Sequence, residues 1–121
     1  MATTTLTRAT HDEAVKDGIV LIDFWASWCG PCKAFAPVFE RVSEANPDAA
    51  FAKVDTEAEQ ELAAMYGISA IPTLVVYRDG IPVFSQPGAL PESSLTDLLT
   101  QVRALDMDAV RSQYDAARAG S

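Results

Sequence analysis

Two hydrophobic periodicities alternate along this chain of 121 residues. Segments rich in aliphatic and aromatic residues, each of strand length, lie at 19–25, 51–55, 73–77 and 81–84. Apolar runs of this kind are typical of strands that are covered on both faces of a sheet. Between these segments, apolar residues recur every three or four positions, as they do on the buried face of a helix. The pattern predicts strands that alternate with helices.

The order of the predicted elements defines the fold class. A short β-prone segment at 3–7 begins the series, so the order becomes βαβαβαββα. Strands separated by helices imply right-handed crossovers and parallel pairing. Residues 78–80 predict a turn that joins 73–77 and 81–84 as an antiparallel hairpin, and Pro82 requires the second strand to lie at a sheet edge. We therefore expect an α/β fold, with a central mixed sheet of parallel strands plus a C-terminal antiparallel hairpin and helices on both faces.

Capping signals set the expected boundaries of two helices. The segments Thr10–Glu13 and Thr56–Glu59 both have the form of a capping box. In this motif a threonine hydroxyl and a glutamate three residues later satisfy the first amides of a helix. Each segment is expected to begin a helix, and Gly18 and Gly67 are expected to end them.

Two further helices and an extension complete the predicted chain. One helix begins near Pro31 and contains a kink at Pro37, and another begins near Pro91. After the last of these, apolar residues continue at helical spacing. We expect one domain over residues 1–105 and a helical extension over residues 106–121, which either packs on the domain or contacts a partner.

Composition and charge narrow the classes of function. Apolar residues make up 49% of the chain and charged residues 21%, an ordinary balance for a globular protein. The net charge of −8 disfavours binding to nucleic acids and to anionic membrane surfaces. No apolar run approaches the ~18 residues of a membrane span, and the N-terminus lacks the basic start and apolar core of a secretory signal. We therefore expect a cytoplasmic protein.

The candidate chemistry centres on two cysteines, Cys29 and Cys32, between a buried strand and the start of a helix. This spacing places their Cα atoms within disulfide range. A thiolate attacks disulfides, and half ionisation at neutral pH requires a fall of roughly 1.5 units from an ordinary thiol pKa near ~8.5. A helix N-terminus supplies ~0.3–2 kcal/mol of the roughly 2 kcal/mol that this fall requires, and hydrogen bonds to sulfur can supply the rest.

Position suggests different roles for the two thiols. Cys29, which is expected at the exposed end, would attack a substrate disulfide. Cys32, which faces the protein, would resolve the mixed disulfide and needs a base to do so. Asp23 on the preceding apolar strand is the candidate base, because burial raises the pKa of a carboxyl toward neutrality.

A pair of cysteines at this spacing is also found as half of a zinc site. The sequence has no second cysteine pair. Its single histidine, His11, is expected to be a solvated residue near the start of a distant helix. We therefore expect redox chemistry and no bound metal.

The residues around the cysteines resemble the active site of the thioredoxin family. The family motif is present as Trp25-Ala26-Ser27-Trp28-Cys29-Gly30-Pro31-Cys32-Lys33. Further matches are the buried aspartate (Asp23), its nearby lysine (Lys53), the cis-proline segment (Ile71-Pro72-Thr73), the glycine loop (Gly88-Ala89) and the helix-kinking proline (Pro37). The resemblance covers roughly residues 3–104.

This resemblance implies a thioredoxin fold and a protein-disulfide reductase that maintains cell redox homeostasis. It implies electrons from NADPH through a thioredoxin reductase, no bound cofactor, disulfide-containing client proteins as partners, and a monomer. It also implies roles for site residues: redox tuning by Gly30, Pro31 and Lys53, and substrate binding by Trp28, Ile71, Pro72, Thr73 and Gly88.

Two alternatives remain open from the sequence. One is an exported thiol–disulfide oxidase or isomerase, although the Gly30-Pro31 dipeptide favours a reductant. The other is a non-catalytic binding module that uses the apolar surface around Trp28, Ile71 and Gly88. Gln86-Pro87 stands where the family usually has a small β-branched residue, which leaves the substrate preference open.

Overall fold

A five-stranded mixed sheet forms the centre of the computed structural model, which describes residues 2–120. The strands are β1 (Thr3–Thr5), β2 (Ile19–Trp25), β3 (Ala49–Asp55), β4 (Thr73–Arg78) and β5 (Ile81–Pro87). Their order across the sheet is β1-β3-β2-β4-β5. β1, β3 and β2 run parallel, whereas β4 is antiparallel to both β2 and β5. The predicted fold class is confirmed, with the C-terminal hairpin at the sheet edge.

Helices cover both faces of the sheet. They are α1 (Arg8–Ala14), α2 (Gly30–Ala45), α3 (Gln60–Met65), α4 (Glu92–Arg103) and α5 (Met107–Ala119). On one face, Phe39 of α2 and Leu99 of α4 share a core with Leu21 of β2. On the other face, Leu62 of α3 shares a core with Ile22. Because side chains alternate along a strand, the odd-numbered positions of β2 face the layer that contains α2.

The β4–β5 turn has the conformation that its sequence predicts. Asp79 and Gly80 have φ angles of +53° and +83°, and a two-residue hairpin turn favours positive φ at both positions. Pro82 lies in the edge strand β5, as its missing N–H requires.

Both predicted capping boxes are wrong. In α1, the capping residue is Thr7, whose hydroxyl accepts from the Thr10 amide, while the Thr10 hydroxyl accepts from the Thr7 amide at 3.0 Å. α3 begins only at Gln60, because the Thr56 hydroxyl donates to the carbonyl of Trp25 at 3.0 Å and caps no helix. A short sequence pattern identifies a threonine that can form hydrogen bonds, but it does not identify the partner.

Of the two glycines expected to end helices, Gly67 directly follows its helix and Gly18 does not. Gly67 has a φ of +62° and directly follows Tyr66, the last capping residue of α3, as predicted. Gly18 also has positive φ, +70°, but α1 already ends at Ala14. The predicted end of α1 is therefore wrong by several residues.

His11 is buried, which corrects the expectation of a solvated residue. Its exposed fraction is 5%, and its ring nitrogens contact the Asp12 carboxylate and the Tyr66 hydroxyl. The Tyr66 hydroxyl lies 2.7 Å from that of Tyr77 on β4. These hydrogen bonds satisfy the buried imidazole, and Tyr66 and Tyr77 are too far from His11 in sequence for a local pattern to reveal them.

The predicted C-terminal helix is present as α5, and it contacts the sheet. The Asp106 side chain caps its first turn. Arg111 donates to the carbonyl of Asp79 at 2.9 Å, which joins α5 to the β4–β5 turn. Tyr114 and Ile81 of β5 line the same surface cavity. The β4–β5 turn lies at the end of the sheet away from the C-terminal end of β2, so α5 is attached far from the cysteines.

Candidate active site

Cys29 and Cys32 form a disulfide at the start of α2. Cys29 is the residue before the helix, and Cys32 lies in its first turn. Their Cα atoms are 5.2 Å apart, within disulfide range as the spacing predicts. The sulfur of Cys29 accepts a hydrogen bond from the backbone N–H of Cys32 at 3.2 Å. The positive end of the helix dipole is therefore directed at this sulfur.

Both cysteines are nearly buried, whereas their neighbour Trp28 is exposed. The exposed fractions are 4% for Cys29, 3% for Cys32 and 68% for Trp28. The expectation of an exposed Cys29 is wrong, because the carbonyl oxygen of Ile71 lies 3.7 Å from its sulfur and helps to cover it. The two cysteines thus differ in their neighbours rather than in their exposure.

The segment just before β4 contacts the disulfide through Ile71. The Ile71–Pro72 peptide bond is cis, as the family resemblance implies. The Pro72 carbonyl accepts a hydrogen bond from the Gly88 N–H at 2.8 Å, and Gly88 has a φ of +105° that favours glycine. Thr73 is buried at the start of β4. Ile71, Pro72 and Gly88 are therefore connected beside Cys29, and the Thr73 side chain that follows them is buried.

A groove of about 380 Å³ lies beside Trp28. Its lining comes from Trp28 and Ile71, from Gln60, Ala63 and Ala64 of α3, and from Thr56, Ile68 and Ser69 on either side of that helix. The sequence analysis did not identify the α3 side of this groove, because α3 comes next to Trp28 only when the chain folds. The spacing of Gln60, Ala63 and Ala64 on one helix face is the signal that could have indicated it.

Asp23 is fully buried in β2, and neither of its carboxylate oxygens has a hydrogen-bond partner within residues 2–120. Burial raises the pKa of this carboxyl to about 7, and the positive charge of Lys53 opposes part of that rise. A carboxyl with this pKa exchanges its proton near neutral pH, as a general base for a thiol must. Its odd-numbered position on β2 places it toward the layer of α2, which carries Cys32.

Lys53 lies opposite Asp23 in the parallel register of β2 and β3. Its ammonium is 5.2 Å from the centroid of the Trp25 ring. Cys32, Trp25 and Lys53 line one cavity of about 260 Å³, with Ala26, Ser27, Lys33 and Ala36 as its other lining residues. The lysine thus shares a space with the second cysteine and acts on Asp23 without a hydrogen bond to it.

Neither a cluster of metal-ligating side chains nor a membrane-spanning helix is present in residues 2–120. Between residues 2 and 120, no three or more His, Cys, Asp or Glu side chains are grouped so as to hold a metal ion. No helix in that range is long and apolar enough to cross a membrane.

The fold and the cysteine pair define a class of protein. A disulfide at a helix N-terminus, with a buried carboxyl in the adjacent strand, is suited to exchange with other disulfides, so the class is that of the thiol–disulfide oxidoreductases. The family model described as Thioredoxin matches residues 2–101.

Individual relatives agree with this match. A Streptomyces coelicolor protein that bears the name thioredoxin 2 is 60% identical over 111 residues, which are 91% of this chain and 83% of that protein. A Staphylococcus aureus thioredoxin is 41% identical over 100 residues, 82% of this chain and 96% of that protein. The solved structure of a mutant thioredoxin from Halobacterium salinarum has a TM-score of 0.79 at 37% identity and covers 85% of this chain and 92% of its own.

The chain belongs to the thioredoxin family. It is a protein-disulfide reductase, and its redox centre is the Cys29–Cys32 pair, which exchanges between dithiol and disulfide.

Proposed function

We propose that Cys29 is the nucleophile of this reductase, that Cys32 is the resolving thiol and that Asp23 accepts the proton of Cys32. The observation that carries the proposal is the hydrogen bond from the Cys32 N–H to the sulfur of Cys29. In the reduced protein, this N–H and the helix N-terminus favour a thiolate at Cys29 over a thiol.

The proposed reaction balances as two exchange steps. The Cys29 thiolate attacks one sulfur of a client disulfide, and the other client sulfur leaves as a thiolate. Cys32 then gives its proton to the Asp23 carboxylate, and its thiolate attacks the sulfur of Cys29, so the second client sulfur leaves. The client has gained two electrons, and the protein holds the Cys29–Cys32 disulfide. The proton on Asp23 and one from water neutralise the two client thiolates.

The surroundings of Asp23 support its role as the base. Its pKa of about 7, which burial raises, leaves about half of the carboxyls able to accept a proton at neutral pH. Its oxygens have no hydrogen-bond partner within residues 2–120 that would compete for the proton. Cys32 and Lys53, the residue opposite Asp23 in the sheet, line one cavity of about 260 Å³, which is large enough to hold water.

We assign client binding to the surface formed by Trp28, Ile71, Pro72, Thr73 and Gly88. Trp28 supplies exposed apolar area next to the nucleophile. The Ile71 carbonyl lies beside the sulfur of Cys29, the atom that attacks the client disulfide in this proposal. The groove of about 380 Å³ that adjoins Trp28 offers space for client side chains.

In this proposal, Gly30 and Pro31 tune the redox properties of Cys29 and Cys32. Both residues lie between the cysteines at the first positions of α2. Pro31 has no N–H, so the Cys32 amide is the donor that reaches the sulfur of Cys29. Lys53 tunes the base, because its charge lowers the pKa of Asp23 against the effect of burial.

The cellular setting is inferred from the family. We propose that electrons come from NADPH through a thioredoxin reductase, that the clients are disulfide-containing proteins of the cytoplasm, and that the protein acts as a monomer without a bound cofactor. The net charge of −8 argues against nucleic-acid and membrane partners. Residues 1–105 carry the chemistry, and residues 106–121 form an extension to that domain.

Turnover of insulin disulfides with NADPH and a thioredoxin reductase tests the proposal. Cys29→Ser is expected to lose turnover completely, while Ser94→Ala on the exposed side of α4 keeps it. Full turnover by Cys29→Ser would contradict the assignment of the nucleophile. If the wild-type protein showed no turnover and the Cys29→Ser/Cys32→Ser variant still bound clients, the chain would be a binding module instead.

A further inference from the structure

The ammonium of Lys53 lies over the indole ring of Trp25 rather than against the carboxylate opposite it. The distance from Nζ to the ring centroid is 5.2 Å, within the ~6 Å at which a cation is attracted to the face of an aromatic ring. Neither oxygen of Asp23 has a hydrogen-bond partner in the described part of the chain. On the other side of β2, Leu74 of β4 pairs with Asp23 and adds no charge. Lys53 therefore acts on Asp23 through space.

The strand register explains this arrangement. In the parallel pairing of β2 with β3, Lys53 lies opposite Asp23, and Asp55 lies opposite Trp25. Asp23 and Trp25 are two positions apart on β2, so they share the sheet face that α2 covers. Trp25 and Lys53 line the same cavity as Cys32. The Trp25 ring is thus a diagonal neighbour of Lys53, at the edge of the cavity that Cys32 also lines.

Other charged side chains near Trp25 could attract or repel the ammonium. Lys33 of α2 lines the same cavity as Lys53. An adjoining cavity of about 470 Å³ is lined by Trp25 and Lys53 together with the carboxylates Glu40 and Asp55. Without the ring, the ammonium would be free to move toward these two carboxylates and away from the buried carboxyl of β2.

We propose that Trp25 is a positioning residue for the resolving step: its ring holds the Lys53 ammonium beside the Cys32 cavity and so sets the charge state of Asp23 at neutral pH. The inference rests on the proposed function, because it takes Asp23 to be the base. Burial and the Lys53 charge act on the pKa of Asp23 in opposite directions, so the position of the lysine determines how far they cancel. A held ammonium exerts its field constantly, whereas a free lysine side chain moves among many positions in solvent.

An NMR titration of the Asp23 carboxyl carbon tests this coupling. The oxidised protein is used, since the disulfide removes both cysteines from the titration. Trp25→Leu is expected to raise the Asp23 midpoint by about 0.5 pH unit or more, and Trp25→Phe, which keeps a ring, by less. In the Lys53→Met background, which lacks the cation, neither substitution of Trp25 is expected to raise the midpoint.

A second readout reports the ring contact directly. The ε-methylene protons of Lys53 are expected to be shifted upfield by the ring current of Trp25. This shift should disappear in Trp25→Leu and persist in part in Trp25→Phe. Lys53→Arg, which retains a positive charge, should restore a wild-type Asp23 midpoint where Lys53→Met does not. If Trp25→Leu does not fold, Trp25→Phe and the two Lys53 variants still allow the comparison.

Two results would overturn the inference. An equal change of the Asp23 midpoint in both backgrounds would show that Trp25 acts by burial and not through Lys53. An unchanged midpoint in the wild-type background would show that the ring does not control the lysine. A failure of Asp23 as the base can be distinguished from a failure of this inference. If Asp23→Asn resolved the mixed disulfide at the wild-type rate, Asp23 would not be the base, but the titration results for Trp25 and Lys53 would be unaffected.

Discussion

The sulfur of Cys29 lies 3.2 Å from the backbone nitrogen of Cys32, at the point where α2 begins. A residue in this capping position usually offers an oxygen to such an amide, and here a sulfur takes its place. In the reduced protein, the same N–H would face a thiolate and stabilise its charge. The proposed nucleophile and the proposed resolving residue are therefore linked by a hydrogen bond as well as by the disulfide.

Trp28→Ala is expected to weaken client binding with little loss of stability. Trp28 is 68% exposed and lines the groove next to the disulfide, so its removal takes away contact area without opening the core. Steady-state kinetics on a disulfide-bonded client should show a KM raised about tenfold, with a smaller change in kcat. Met65, which is 52% exposed on α3, provides the control, because Met65→Ala should leave KM unchanged. An unaltered KM for Trp28→Ala would place the client elsewhere.

Asp23→Asn is expected to slow the resolving step while it spares the first attack. The asparagine cannot accept the Cys32 proton, so the mixed disulfide should persist at least about tenfold longer at pH 8. At a pH below the Asp23 pKa of about 7, the wild-type carboxyl is itself protonated, and the difference between the two proteins should shrink. Rapid acid quench and mass measurement of the mixed disulfide would follow both steps. Identical lifetimes across this pH range would remove Asp23 from the mechanism.

Asp23 also makes stability depend on pH. Burial raises its pKa from 3.8 to about 7, so between these values the folded state binds more protons than the unfolded state. The free energy of unfolding should therefore fall as pH rises through this window, by at most on the order of 4 kcal/mol. Urea unfolding of the oxidised protein at several pH values above about 5 would measure the slope. In Asp23→Asn, the free energy of unfolding should depend less on pH, and this variant should be more stable than the wild type at pH 8. If the free energy of unfolding changed with pH equally in both proteins, the raised pKa of Asp23 would be contradicted.

Truncation after Leu105 is expected to leave turnover within about twofold and to lower the free energy of unfolding by roughly 1–3 kcal/mol. α5 is joined to the β4–β5 turn by the bond from Arg111 to the Asp79 carbonyl, at the sheet end away from the cysteines. Its removal also exposes apolar surface near Ile81. Arg111→Met, which removes only the hydrogen bond, should cost less stability than the truncation. A large drop in turnover would show that α5 contributes to the site.

The features that sequence predicted well are those that local pattern determines. The run Ile19–Trp25 forms β2 with the predicted bounds, because a nearly continuous apolar run has few other places to be buried. The turn at Asp79-Gly80 also follows from local conformational preference. The spacing of Cys29 and Cys32 fixes their separation once the helix forms.

The features that sequence missed depend on contacts between distant segments. His11 is buried because its ring is hydrogen-bonded to the hydroxyl of Tyr66, the residue that ends α3. Cys29 is covered because Ile71 arrives from the start of β4. The place of the Trp25 ring beneath Lys53 depends on the register between two strands. Such contacts require the tertiary structure.

Alkylation of the reduced protein across a pH series tests the central claim most directly. The Cys32→Ser variant leaves Cys29 as the reacting thiol and keeps the backbone N–H at position 32. The account predicts that the rate with iodoacetamide reaches half of its maximum below about pH 7.5, because the helix N-terminus and this N–H stabilise the thiolate. A half-maximum near the ~8.5 of an ordinary thiol would contradict it.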